Sequence, residues 1–268
     1  MIARYSPIAP VSLLHQLQAR RSLGNYLLLL AHDVFRHETA YHELVRYLAP
    51  IEGRSDEGKL IIMDNGTVEQ GKPVAFSAVL DAARYVKAHV VVTPDIIGDM
   101  QGTIKLVANE VLPHHEDPDF EFDLMRIPQG KTHKEVLECI RWLYQNVKAP
   151  DGCPSYWGVP RWFANEFGSR IPYIQYINAL DGNAQIHLLG MSKEFLDDMR
   201  CTRLPNVIGI DSANPLVLGV AGYDMNVDIG QRGERTKPPH MHRGNYWGVD
   251  TLYETCVRNV RYMHANVG

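Results

Sequence analysis

KLIIMDNGTVEQG, residues 59–71, drives a carboxylate to the end of an apolar run and follows it at once with turn chemistry. Leu60 to Met63 are apolar at every position, the pattern of a strand covered on both faces rather than one. Asn65 and Gly66 tolerate positive φ, so Asp64 reads as a turn residue or as a side chain aimed from a rigid strand tip.

Similar apolar, β-rich runs recur along the chain: IARYSPIA (2–9), NYLLLLA (25–31), HVVVTPD (89–95), FDLMRIPQ (122–129), YWGVP (156–160), QIHLLG (185–190) and NVIGID (206–211). Helical spacing fills most of the gaps. FSAVLDAARYVKA (76–88) places Phe76, Val79, Leu80, Ala83 and Val86 on one face, and KTHKEVLECIRWLYQNV (131–147) repeats Val136, Ile140, Leu143 and Val147. Thr132 ahead of Glu135 predicts a capping box. Alternation of this kind predicts a parallel sheet covered by helices, and eight repeats favour a closed TIM (β/α)8 barrel over a doubly wound open sheet. The barrel is assigned to residues 1–215. Residues 216–268 form a short basic C-terminal extension and closing helix of the same domain, with Asp250 as the expected N-cap.

Hydrophobic residues make up 45% of the 268 and charged ones 22%, an ordinary globular composition. No apolar run reaches the roughly 18 residues of a membrane span. MIARYSPIAP lacks the features of a signal peptide, and the four cysteines are scattered, so a cytoplasmic protein with free thiols is expected. The net charge of −4 hides an uneven distribution. HHEDPDFEFD (114–123) holds five acids ahead of the fifth strand, at the N-terminal face, whereas QRGERTKPPHMHR (231–243) holds four Lys/Arg against Glu234. The basic loop suits phosphate groups or simply a solvated surface.

The polar residues fall where a barrel carries chemistry, at the C-terminal strand ends. Strand three ends in Asp64, strand four in Asp95, strand five in Gln129-Gly130, strand six near Gly158, strand seven at Gly190 and strand eight at Asp211. Two carboxylates facing one site suit double displacement at an acetal-like carbon, at about 5 Å separation. Asp95 and Gln129 offer an acceptor and an amide to a planar heterocycle. Gly158 and Gly190 leave backbone N–H groups open to close approach. His32-Asp33, after LLLL, reads as a packed histidine and helix cap or as a substrate contact. HETAYH (37–42) lacks HExxH spacing and reads as surface helix.

MDNG (63–66), TPDIIGD (93–99), IPQGKT (127–132), WGVPR (157–161), HLLG (187–190) and GIDS (209–212) together resemble the tRNA-guanine transglycosylase superfamily. The closer likeness is to its phage-type branch of DpdA-type DNA transglycosylases. The resemblance implies a pentosyltransferase that exchanges guanine in DNA for a 7-deazaguanine such as preQ0, without ATP, as a bacteriophage defence against restriction. It makes Asp211 the nucleophile and Asp64 the acid/base. Asp95, Gln129, Gly130, Gly158 and Gly190 would hold the base, with Val68 and Leu189 covering its faces. Val68 stands where family members often carry a stacking aromatic.

Arg161, Arg232, Arg235, Lys237 and Arg243 would grip nucleic acid around a flipped-out target. The zinc module of the tRNA enzymes is missing, so no cofactor is expected; His240, His242 and Cys256 have unspecific spacing for a metal. The same exchange on tRNA, a retaining glycoside hydrolase and a non-catalytic nucleic-acid-binding barrel are the alternatives. The resemblance leaves room for a homodimer, and no stretch identifies an interface.

Overall fold

The computed structural model describes residues 2–47, 59–115, 117, 119–150, 152–193, 195–228 and 252–267. All eight expected strands are present: β1 Arg4–Pro7, β2 Tyr26–Leu30, β3 Leu60–Asp64, β4 Val90–Val92, β5 Asp123–Arg126, β6 Ser155–Pro160, β7 Ala184–Leu189 and β8 Val207–Ser212. Every pairing is parallel, in the order β1-β8-β7-β6-β5-β4-β3-β2, and helices run between the strands. This is a TIM (β/α)8 barrel with a C-terminal helix.

Near-continuous apolar runs are required because both faces of each strand are buried. Leu28, Leu30, Ile62, Val90, Val92, Met125 and Ile127 pack together inside the barrel. Their alternating neighbours Leu27, Leu29, Ile61, Met63, Val91 and Leu124 pack outward with the helices. Helix Phe76–Val86 turns Phe76, Val79, Leu80, Ala83 and Val86 into that outer layer, as its spacing predicts. Helix His133–Asn146 carries the expected box: Thr132 Oγ1 accepts from Glu135 N–H at 3.2 Å and Glu135 Oε2 accepts from Thr132 N–H at 3.2 Å.

The cylinder has one seam. β1 and β2 end the strand order yet lie side by side, and there Leu28 N–H donates to Ser6 Oγ at 2.8 Å. Ser6 is buried, so its hydroxyl supplies an acceptor where no neighbouring carbonyl does. Beside the seam, Tyr5 donates through its hydroxyl to Ser212 O and meets His264 edge-on.

His264 belongs to the C-terminal helix Glu254–Asn266, which begins after Tyr253 at the N-cap, later than the sequence suggests. Asp250 lies outside the described residues. That helix packs against helix Asn214–Val220 so closely that a Cβ on Gly219 would fall 2.5 Å from Cys256 Cα. Asn259 ties the pair together, donating to Pro215 O and Tyr223 O and accepting from Met225 N–H.

At the end of β2 the chain enters helix Ala31–Arg36 with Leu30 at the cap position, so Asp33 sits in the first turn and does not cap. HETAYH lies mostly in helix Glu38–Tyr47, whose Tyr41 and Leu44 turn inward, so only its outer face is surface. No helix among the described residues is long and apolar enough to cross a membrane.

Candidate active site at the barrel mouth

Asp64 leaves the tip of β3 and accepts Gly66 N–H on Oδ2 at 3.1 Å. Gly66 turns the chain away with φ +70, and a Cβ there would fall 2.6 Å from His32 Nδ1. His32 Nδ1 is buried with no hydrogen-bond partner. Burial raises the Asp64 carboxyl well above its ordinary 3.8; the charges of Glu69, Asp211 and Asp95 add to this, and the Gly66 N–H opposes it. Asp64 thus favours its protonated form and feels Asp211.

Asp211, near the end of β8, is held through Oδ1 alone. Gly190 N–H donates to that oxygen at 2.9 Å and His187 Nε2 lies 2.9 Å from it. Behind His187, the Tyr26 hydroxyl is 2.5 Å from Nδ1. Burial raises the Tyr26 phenol well above 10.0, partly offset by Arg4, whose guanidinium lies 4.6 Å from the ring centroid. A carboxylate only accepts, so the imidazole proton lies on Nε2, facing Asp211, and Nδ1 takes the proton of the neutral phenol. Gly209 makes room for this row: a Cβ there would fall 2.4 Å from the Tyr26 ring. Asp211 Oδ2 accepts no hydrogen bond from the described residues.

Asp95 and Gln129 are spent differently. Asp95 Oδ1 accepts from Asn65 Nδ2 at 3.0 Å and Thr67 Oγ1 at 3.2 Å, while Oδ2 accepts from Gln129 Nε2 at 2.6 Å. Gln129 Oε1 accepts from Gly98 N–H at 3.0 Å and Trp162 Nε1 at 2.8 Å. Both residues are buried. Burial raises the Asp95 carboxyl, against the hydrogen bonds from Asn65, Gln129 and Thr67. The two side chains form a closed knot that braces the loops after β3, β4 and β5.

Gly158 faces inward beneath side chains: a Cβ there would fall 2.3 Å from Ile127 Cδ1 and 2.7 Å from Leu189 Cδ1. Gly130 lies against the start of helix His133–Asn146, where a Cβ would meet Val136 N at 2.7 Å. Gly190 has φ +70 and lies under the Arg161 side chain. Val68 is exposed and Leu189 half-buried. Arg232, Arg235, Lys237 and Arg243 lie outside the described residues, as do His240 and His242.

Sequence reasoning passed over His187, Tyr26, Asn65, Thr67 and Trp162. His187 had a signal, a polar side chain inside the apolar run QIHLLG. Among the described residues no group of three or more His, Cys, Asp or Glu side chains could hold a metal ion.

No family model matches the chain, and no curated protein does. Solved structures do. KDPG aldolase from Legionella pneumophila, captured with pyruvate as a covalent carbinolamine, aligns at 13% identity and TM-score 0.47, covering 100% of this chain and 95% of its own. N-acetylneuraminate lyase from Proteus mirabilis aligns at 8% and 0.44, covering 86% of this chain and 76% of its own. The Mycoplasma synoviae lyase aligns at 7% and 0.47, covering 99% and 98%.

The expected membership of the transglycosylase superfamily is corrected to the barrel fold alone: the neighbours found are an aldolase and lyases, and no family model or curated protein matches. With it go the pentosyltransferase class, the DNA and preQ0 partners with the homodimer of related barrels, and the bacteriophage setting. The tRNA, glycoside hydrolase and non-catalytic alternatives are no better supported. The physical reason is local: Asp95, Gln129 and Gly158, which were to read a purine edge, are turned to one another and to Leu189. At such low identity and TM-score, the aldolase and lyases lend this chain none of their own chemistry. Lys131 and Lys193, which follow β5 and β7, are both exposed, and no described lysine is buried.

Proposed function

We propose that the barrel mouth is the active site of an acid–base enzyme acting on a small, neutral or cationic molecule that brings N–H donors. Asp211 Oδ2 takes a proton from the substrate, and Asp64, kept protonated, delivers one. The observation that carries this reading is the asymmetric hold on Asp211. One oxygen is fixed by Gly190 N–H and His187, and the other has no donor among the described residues. Two carboxyl groups pushed into different roles by their surroundings are a recurring acid/base arrangement. The substrate class follows from charge: Glu69 and Asp211 both act electrostatically on Asp64, and acids gathered in this way favour donors over anions.

The test is solvent-deuterium exchange. Small amides, amidines and aminoketones with an acidic C–H are incubated with the protein in heavy water and followed by proton NMR. The expected result is exchange of at least one compound, slowed about 100-fold or more in Asp211→Asn and in Asp64→Asn. Exchange no faster than in buffer across the panel, or undiminished in Asp211→Asn, overturns the reading.

A further inference from the structure

Arg126, the last residue of β5, turns a side chain 3% exposed away from the mouth, toward the N-terminal ends of β6 and β7. Its Nη1 donates to Ser155 Oγ at 2.6 Å and to Asp181 Oδ2 at 3.3 Å, and the guanidinium lies 4.8 Å from the Trp157 ring centroid. Asp181 is itself secured by Ser155 Oγ and by Trp157 Nε1 at 2.9 Å. The other edge of the fork is bare: Nε is buried without a partner, and Nη2 makes no hydrogen bond to a described residue. A guanidinium edge of two parallel N–H donors matches a carboxylate, and leaving it unmade in the interior is costly.

Arg126 lines two clefts. Ser155 and Asp181, which hold Nη1, line one of about 170 Å³. They do not line the other, of about 200 Å³, which is walled by Phe120, Phe122, Leu124, Pro150 and Pro154 around Arg126. This second cleft is the more apolar, and it holds neither partner of Nη1. Lys148 and His115 also line it, against the acids Asp117 and Asp123. Burial raises the Asp123 carboxyl above its ordinary 3.8.

We propose that this cleft, on the face away from the mouth, binds a small monocarboxylate with an apolar body. The carboxylate lies along the Nε–Nη2 edge of Arg126, and the body rests on Phe120, Phe122 and the two prolines. The site is independent of the acid–base reading.

The probe is benzoate, with benzamide as its uncharged counterpart, titrated into the whole protein by isothermal calorimetry and heteronuclear NMR. Benzoate is expected to saturate below about 10 mM, at least about tenfold tighter than benzamide. Arg126→Lys keeps a charge beside Asp181 and loses the fork, and should weaken benzoate about tenfold or more. Phe120→Ala, which leaves the buried ion pair alone, should weaken it several-fold, and Asp211→Asn should leave it unchanged. Benzamide binding as well as benzoate, or no saturation, overturns the proposal. Should Arg126→Lys fail to fold, unaltered benzoate binding by Phe120→Ala overturns it equally.

Discussion

Tyr26→Phe removes one oxygen from the interior and leaves the shape of the ring intact. That oxygen lies 2.5 Å from His187 Nδ1, and both residues are buried. Two effects follow. The first is an orphaned nitrogen: a buried polar atom stripped of its partner costs about 1–3 kcal/mol. The folding equilibrium should therefore shift toward the unfolded state by roughly 5- to 150-fold. The second concerns the imidazole. With the phenol present, Nε2 carries the proton and meets Asp211 Oδ1 at 2.9 Å. Without it, the carboxylate still holds the proton on Nε2, and Nδ1 is left as a bare lone pair.

Urea denaturation reads the first effect, and long-range proton–nitrogen correlation of the imidazole reads the second. The expected outcome is a lower midpoint at unchanged slope, with the Nδ1 shift moved to that of a nitrogen without a hydrogen bond while Nε2 keeps its proton. A variant within about 0.5 kcal/mol of the parent, with unaltered imidazole shifts, would refute the relay.

Three further outcomes test other parts of the molecule. Asp64 has its folded pKa raised above 3.8, so between the two values the unfolded chain has lost its proton while the fold retains it. Rising pH then removes stability, and Asp64→Asn should gain on the parent as pH climbs above about 4; a constant difference in denaturation free energy would contradict this. Ser6→Ala leaves Leu28 N–H without its acceptor and should cost about 1–3 kcal/mol, with faster amide exchange at Leu28 than in the parent. Gly219→Ala drives a methyl into the backbone at Cys256 and should lower the melting temperature by several degrees, since about 1–3 kcal/mol of overpacking is expected; an unchanged melting temperature would mean that the two helices stand further apart.

The eight strands were legible because a parallel barrel leaves a signature that local chemistry enforces: runs such as LLLL and LIIM are apolar at every position, and turn residues close them. The strand-end rule likewise placed Asp64 and Asp211 at one mouth, where the charge of Asp211 reaches Asp64. What lies between them was not legible. His187 looks like a core histidine until Tyr26, 161 positions away, is found against its Nδ1. Asp95 and Gln129 were given open edges because a sequence cannot show that Gly98 and Trp162 arrive from other loops to occupy them. The start of the C-terminal helix was misjudged because Asp250 is a good capping type, whereas helix Glu254–Asn266 is positioned by packing on Gly219 and by the reach of Asn259.

The barrel is fastened by seven ladders and, at the eighth junction, by a serine. Pulled sideways, such a cylinder parts along that line first. β1 would depart with β8, gripped by the Tyr5 hydroxyl on Ser212, and β2 would stay on the far bank. His187 and Asp211 ride on one side of the crack and Tyr26 on the other. A slight parting would withdraw the phenol while the histidine and carboxylate kept hold of each other, so a mechanical loosening there would be felt as one ring nitrogen losing its donor.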